Sequence, residues 1–273
     1  MTQTPPKICD RAALVRNRSR SRPDAMFLHK AAWAEVEDRL LMVKKAFTAP
    51  AIVTGHLEMW RHFLPNATVT SDTDVITLQP SAHDLVIHAM ALHWANDPVG
   101  QLIQCRRALK PDGLFLAILP AGQTLNELRA CLSQTEISLR GGLSPRILPM
   151  GDIRDLGALL QRAGFALPVA DSLSLTAEYD DVGALGRDLR QMGETNAQTA
   201  RDKFLTRKTL FQDANTLYQT TFPGTQKAIR ATFELVTLTG WAPDASQPQP
   251  LRPGSAKMRL SDALNTDETP LAD

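Results

Sequence analysis

Apolar residues recur at helical spacing over 26–48, where Met26, Phe27, Ala31, Val36, Leu40, Leu41, Val43 and Phe47 mark a helix. The pattern then shortens. "APAIVTG" (49–55) is a brief apolar run with a proline near its start and Gly55 at its end, the form of a short buried strand. "NATVTSDTD" (66–74) predicts a second strand. "HDLVIHAMALHW" (83–94) predicts a third, apolar on both faces near its start as a central parallel strand must be.

Asp97 and Pro98 open the next helix, as N-cap and first-turn proline, with Val99, Leu102, Ile103 and Leu109 on one face. "KPDG" (110–113) reads as a turn and "LFLAIL" (114–119) as a core strand. Thr124 and Glu127 have capping-box spacing, ahead of Leu128 and Leu132. After the loop 140–149, Ile153, Leu156, Leu159, Leu160 and Ala163 line a helix that Gly164 ends. "SLSLTAEY" (172–179) is a strand. Asp180 or Asp181 starts a helix with Val182, Leu185, Leu189 and Met192 inward. "ATFELVTLTGW" (231–241) is a last strand, expected at or near a sheet edge. Strands alternating with helices over 50–180 predict a doubly wound parallel sheet in one domain.

Composition narrows the class. Of 273 residues 43% are apolar, and the formal charge is +1, so a globular chain with one sizeable core is expected. There is no global basic field to draw nucleic acid. Cys9, Cys105 and Cys131 form no CxxC pair and read as reduced thiols. No apolar run approaches the roughly 18 residues of a membrane-spanning helix. Arg11, Arg16, Arg18, Arg20 and Arg22 are scattered around a helix and interrupted by acids, which predicts a solvated or partner-facing basic helix rather than a cleaved leader. His56 with His62, and His88 with His93, lack metal-ligand spacing, so no metal centre is expected.

"LHWANDP" (92–98) and "RRALKPDGLFLA" (106–117) resemble the fourth- and fifth-strand segments of class I methyltransferases that use S-adenosylmethionine, of the type 11 kind. "AGQTLNELR" (121–129), "GGLSPRILP" (141–149), "DLGALLQRAGF" (155–165), "QMGETN" (191–196) and "GSA" (254–256) narrow the resemblance. So does the arm "CDRAALVRNRSR" (9–20). Together they are similar to the methyltransferase-fold assembly factors of respiratory complex I and their bacterial relatives. The resemblance implies a seven-stranded Rossmann-like sheet and an S-adenosylmethionine pocket. It implies a protein client, an iron–sulfur subunit of complex I, on which an animal-type relative is regarded as an arginine hydroxylase. It places the chain in the bacterial cytoplasm or at the inner-membrane periphery, ahead of a mitochondrial matrix.

The chain departs from that family where the cofactor should sit. The family's first-strand motif runs roughly Leu-Asp-Leu-Gly-Cys-Gly-x-Gly; here the acid has become Val53, and two glycines have become Leu57 and Met59. Those glycines let the backbone approach the cofactor, and a β-carbon obstructs this. Glu58 would repel the cofactor's carboxylate. Asp72 is the candidate for the ribose-binding acid, yet only eleven residues separate it from Asp84, too few for a helix and a strand with connections. Two or three lost contacts to charged groups weaken binding by roughly 3–6 kcal/mol, or ~10²–10⁴-fold.

The expectation is therefore an α/β methyltransferase sheet with its cofactor-side strand and helix region shortened. It comprises an amino-terminal helical arm (1–48), the α/β domain (49–242) and a proline-rich tail (243–273), extended or disordered by composition. Gly55, Asp72 and His93 are the vestigial cofactor residues. Trp94, Asn96, Gln123, Glu127, Arg129, Ser144, Arg146, Glu194 and Asn196 are the candidates for client binding, and no catalytic residue is assigned. The alternative is an active S-adenosylmethionine-dependent methyltransferase or arginine hydroxylase acting on a protein.

Overall fold

The computed structural model describes residues 7–248 and 258–267. Its strands are β1 (Pro50–Thr54), β2 (Thr68–Ser71), β3 (His83–Ala89), β4 (Leu109–Ala121), β5 (Ala166–Tyr179) and β6 (Ile229–Trp241). They form one sheet in the order β2-β1-β3-β4-β6-β5. The first four pair in parallel, while β6 runs antiparallel to both β4 and β5. The sheet is mixed, which corrects the all-parallel expectation.

Helices cover both faces because the strands alternate cleanly. Ile52, Ile87, Leu116 and Ile118 point to one face, where they meet Leu28, Ala32 and Val36 of α2 (Phe27–Val43) and Trp60 of α3 (Leu57–Arg61). Ala51, Val53, Val86, Phe115 and Ala117 point to the other, against α4 (Pro98–Ala108) and α6 (Ile153–Arg162). α5 (Asn126–Arg140), α7 (Val182–Gln191) and α8 (Lys208–Thr221) complete the first layer. The expected caps at Asp97 and Asp181 form: their carboxylates accept from Gly100 N at 2.8 Å and Ala184 N at 2.5 Å. Gly164 adopts φ +81° just past α6, the left-handed turn that ends the helix.

The 231–241 strand lies next to the sheet's edge, as expected of a strand at or near it; β5 is the edge itself. The polar positions of 231–241 are partnered. Glu127 accepts from Thr232 N at 3.2 Å and Thr232 Oγ1 at 2.5 Å, and Thr124 Oγ1 bonds the Glu234 backbone. Those same bonds use up the side chains expected to form a capping box, so α5 starts at Leu125 with no side-chain cap. "KPDG" also departs from expectation, continuing into β4 rather than preceding it.

The arm begins with α1 (Arg11–Arg18), capped by Asp10. Its residues 8–22 are fastened to the end of α7 and the segment after it. Asp10 N donates to Ala197 O at 2.8 Å, Thr199 N to Ile8 O at 2.8 Å, Asn17 Nδ2 to Thr195 O at 3.0 Å and Arg22 N to Gln191 O at 2.7 Å. Asn96 closes the start of the arm by bonding Cys9 N at 2.9 Å.

This compact unit ends at Pro243. A second, beginning at Asp244, contains a turn in which Asp244 Oδ1 accepts from Ser246, and the short helix α9 (Leu260–Leu264). "GSA" and most of the proline-rich stretch lie outside the described residues.

Candidate functional site

Parallel pairing sets the carboxyl ends of β1 and β2 side by side, with Thr54 opposite Ser71, so Gly55 and Asp72 emerge together. The space above them is taken by the arm. Arg18 Nη1 lies 2.9 Å from both Asp72 oxygens, and Arg11 reaches them at 3.1 and 3.2 Å. Asp72 is 1% exposed. Burial pushes its carboxyl up, but the Arg18 and Arg11 guanidinia outweigh that and hold it at about 2. Arg18 is itself buried, which at this position corrects the reading of the arginine run as solvated or partner-facing; Arg16, Arg20 and Arg22 are exposed.

Gly55 is needed here for close approach. A β-carbon on it would fall 2.1 Å from Arg18 Cζ, so the guanidinium lies flush on the glycine backbone. Gly55→Ala should therefore displace Arg18 and destabilise the fold by on the order of 1–3 kcal/mol. Thermal denaturation tests this, and an unchanged midpoint would mean that Arg18 moves aside freely.

Next to this pair lies a buried polar cluster. Trp94 Nε1 donates to Glu194 Oε2 at 2.7 Å and His93 Nε2 to the same oxygen at 3.1 Å. Burial pushes the Glu194 carboxyl up, yet His93, Arg18 and Trp94 hold it well below the usual carboxylate range. The His29 and His56 rings meet edge-on, 4.6 Å apart. Burial holds His29 down at about 3 and His56 at about 4, so both are neutral. Of nine buried side-chain polar atoms without a partner among the described residues, six belong here: Arg18 Nε and Nη2, His29 Nε2, His56 Nε2, His93 Nδ1 and Glu194 Oε1. This is where a small polar ligand would be best received.

His29, His56 and Glu194 each offer one ligand atom, all within 4.8 Å of one another. However, Trp60 Nε1 donates to His29 Nδ1 at 3.1 Å, which leaves the ring proton on Nε2. That nitrogen then presents a hydrogen rather than a lone pair. Arg18 adds a positive charge beside the cluster. The chemistry is that of a hydrogen-bonding site, not a cation cage.

On the far side of Glu194 opens a cavity of about 250 Å³ with a mainly apolar lining that includes Leu125, Leu189 and Phe233. His93, Trp94, Arg146, Glu194 and Asn196 all border it, so the structure brings five of the sequence candidates together. The others lie apart. Glu127 is spent on Thr232, and Asn96 on Cys9. Gln123 accepts from Asn126 Nδ2 at 3.0 Å, and Arg129 Nη2 donates to Leu148 O at 3.0 Å. Ser144 Oγ and Arg146 Nη2 both bond Glu136, at 2.7 and 2.8 Å, and with burial opposing them they hold that carboxyl at about 2. Arg11, Arg18, His29 and His56 were not singled out from the sequence as site residues; only the resemblance of the 9–20 arm marked the first two.

A mixed sheet with four parallel strands, carrying an acid after its second strand, a glycine after its first and a Trp-lined cavity beyond its third, defines a class. The chain belongs to the class I S-adenosylmethionine-dependent methyltransferases, and the family described as "Methyltransferase domain" (Methyltransf_11) matches residues 36–117. It is 39% identical over 190 residues to "Arginine-hydroxylase NDUFAF5, mitochondrial" of Dictyostelium discoideum, covering 69% of this chain and 43% of that protein. It is 31% identical over 222 residues to a malonyl-[acyl-carrier protein] O-methyltransferase of Methylovorus, covering 81% of this chain and 71% of that one. The chain spans 43–62% of the length of the arginine-hydroxylase relatives it matches. Among solved structures, the YcgJ protein of Bacillus subtilis aligns with a TM-score of 0.46 at 13% identity, over 75% of this chain and 97% of that one. Among the described residues no helix is long and apolar enough to cross a membrane.

Proposed function

We propose that this chain is a methyltransferase-fold assembly factor that binds a protein client and whose own arm occupies a degenerate cofactor site. The observation that carries this is the Arg18 guanidinium, seated on Gly55 and bound to Asp72. Asp72 is the acid that would otherwise receive ribose hydroxyls, and here both its oxygens are taken by two arginines. The α1 part of the arm acts as the lid of the cleft. The ten residues between Asp72 and the start of β3 at His83 carry no helix or strand, in keeping with a shortened adenine side. Resemblance to the complex I factors supplies the client, an iron–sulfur subunit of NADH:quinone oxidoreductase. The cavity bordered by Trp94 and Arg146 supplies its docking point, since aromatic and arginine anchors dominate interfaces.

One observation favours a second reading, an active methyltransferase or hydroxylase. The unpartnered atoms at Arg18, His29 and Glu194 offer both donors and an acceptor, which would suit the zwitterionic end of S-adenosylmethionine. Calorimetry with S-adenosylmethionine and S-adenosylhomocysteine separates the two. The expected result is no heat of binding at roughly 100 μM ligand. A clear isotherm there would establish the enzyme reading and remove the degenerate one. In a deletion strain, Trp94→Ala should fail to restore assembled NADH:quinone oxidoreductase at normal protein level. Arg146→Ala should fail too, partly because Glu136 then loses a partner.

A further inference from the structure

The segment 201–208, "RDKFLTRK", leads into α8 and lines neither the Asp72 cleft nor the cavity beside Glu194, though Phe204 and Leu205 border a shallower hollow with Arg140 and Leu210. Phe204 is 86% exposed and Leu205 100% exposed, so the Leu205 side chain touches nothing. Large apolar side chains are seldom left in this state as a contiguous pair without a use. The loop is held by its base. Asp202 accepts from Phe204 N at 3.0 Å and from Arg140 Nη1 at 3.0 Å, while Thr206 accepts from Arg146 Nη1 at 3.0 Å. Pinned on both sides, the two residues between project outward.

The charge around them is one-sided. Asp202, the one acid of the segment, is neutralised by Arg140, and Arg201 is paired with Asp10 at 2.9 Å. Lys203, Arg207 and Lys208 are exposed and form no ion pair among the described residues. A protruding Phe-Leu tip ringed by free cations matches the requirement of an anionic lipid surface, in which apolar side chains enter the acyl boundary and Lys and Arg stay at the headgroups. A fully exposed tip needs no shaped receptor, which favours a fluid interface over an acidic protein.

We infer that the 203–208 loop docks this protein reversibly on anionic membrane surfaces through Phe204 and Leu205, steered by Lys203, Arg207 and Lys208. The inference is independent of whether the cofactor cleft is filled. The test is co-sedimentation of the full chain with vesicles of phosphatidylcholine alone, or of about three parts phosphatidylcholine to one part phosphatidylglycerol. Binding should favour the anionic vesicles by about tenfold or more and weaken as salt rises. Phe204→Ser with Leu205→Ser should reduce it by about 10- to 100-fold with an unchanged thermal midpoint, because neither side chain is packed. Lys203→Glu with Lys208→Glu should abolish the preference for anionic lipid. Equal binding to both vesicles, no binding to either, or binding indifferent to Phe204 and Leu205 would overturn the inference. So would an acidic protein partner lost by the serine variants from a chain that ignores vesicles.

Discussion

Asp72→Ala is expected to destabilise the protein by about 3–5 kcal/mol, the cost of breaking a buried ion pair from one side. The loss is large because the change strands two guanidinia at once. Arg18 has a side chain only 6% exposed and cannot swing into water while the arm stays in place. For a domain of this size the midpoint should fall by roughly 6–20 °C. The companion variant makes the cause testable. Asp72→Leu combined with Arg18→Met removes the buried charge from both sides and should recover most of the loss, since Arg11, whose side chain is 23% exposed, can turn toward water. Chemical denaturation of both proteins decides the matter, and a loss below about 1 kcal/mol for Asp72→Ala would mean that the pair is solvated rather than structural.

The second large effect is on acid stability. Burial holds His29 at about 3, and His56 and His88 at about 4, against an ordinary value of 6.5. His88 lies beneath the sheet's centre, bonded through Nε2 to Gln101 Oε1 at 2.9 Å. Each ring stays neutral in the folded chain while its unfolded counterpart takes up a proton below pH 6.5. Their stabilising contribution is therefore complete above pH 6.5 and is lost as pH falls toward 4. With three such groups the slope reaches about 4 kcal/mol per pH unit. By pH 4.5 the accumulated loss is on the order of 8 kcal/mol, comparable with the whole stability of a typical domain. Asp72, held at about 2, adds its own loss only below pH 4. Denaturant melts between pH 7.5 and 4.5 should show this slope, and His88→Gln should remove about a third of it. A flat profile down to pH 5 would contradict the neutral burial of these rings.

The parts of this fold legible in the sequence were those written locally. Asp97-Pro98, Asp181 and Gly164 each act through atoms within a few residues, and all three mark helix limits as expected. β1 and β3 were equally readable as short apolar runs. What misled was polarity explained by distant partners. Thr232 and Glu234 are bound by Glu127 and Thr124, more than a hundred residues earlier. The same long-range bonds undid the capping box. α8 gave a weak signal because Leu210, Ala214 and Tyr218 are widely spaced among polar residues. In the candidate site, Trp94, Arg146, Glu194 and Asn196 were reachable by resemblance. Arg18 lay in the arm that the resemblance marked but was not singled out within it, because nothing local distinguishes an arginine that pairs with an acid 54 residues away from its solvated neighbours.

The arm's attachments carry a consequence for how the chain is made. Asn17 bonds Thr195, 178 residues later, and every strap between residues 8 and 22 and the segment after α7 spans a comparable distance. At about 5–20 residues per second, the first helix emerges roughly 10–40 s before its partners exist. During that interval Arg11 and Arg18 are solvated cations, and Asp72, once made, has no seal fastened over it. The straps over the cleft thus cannot close before the 191–199 segment arrives, so a late part of the domain fastens the first part in place.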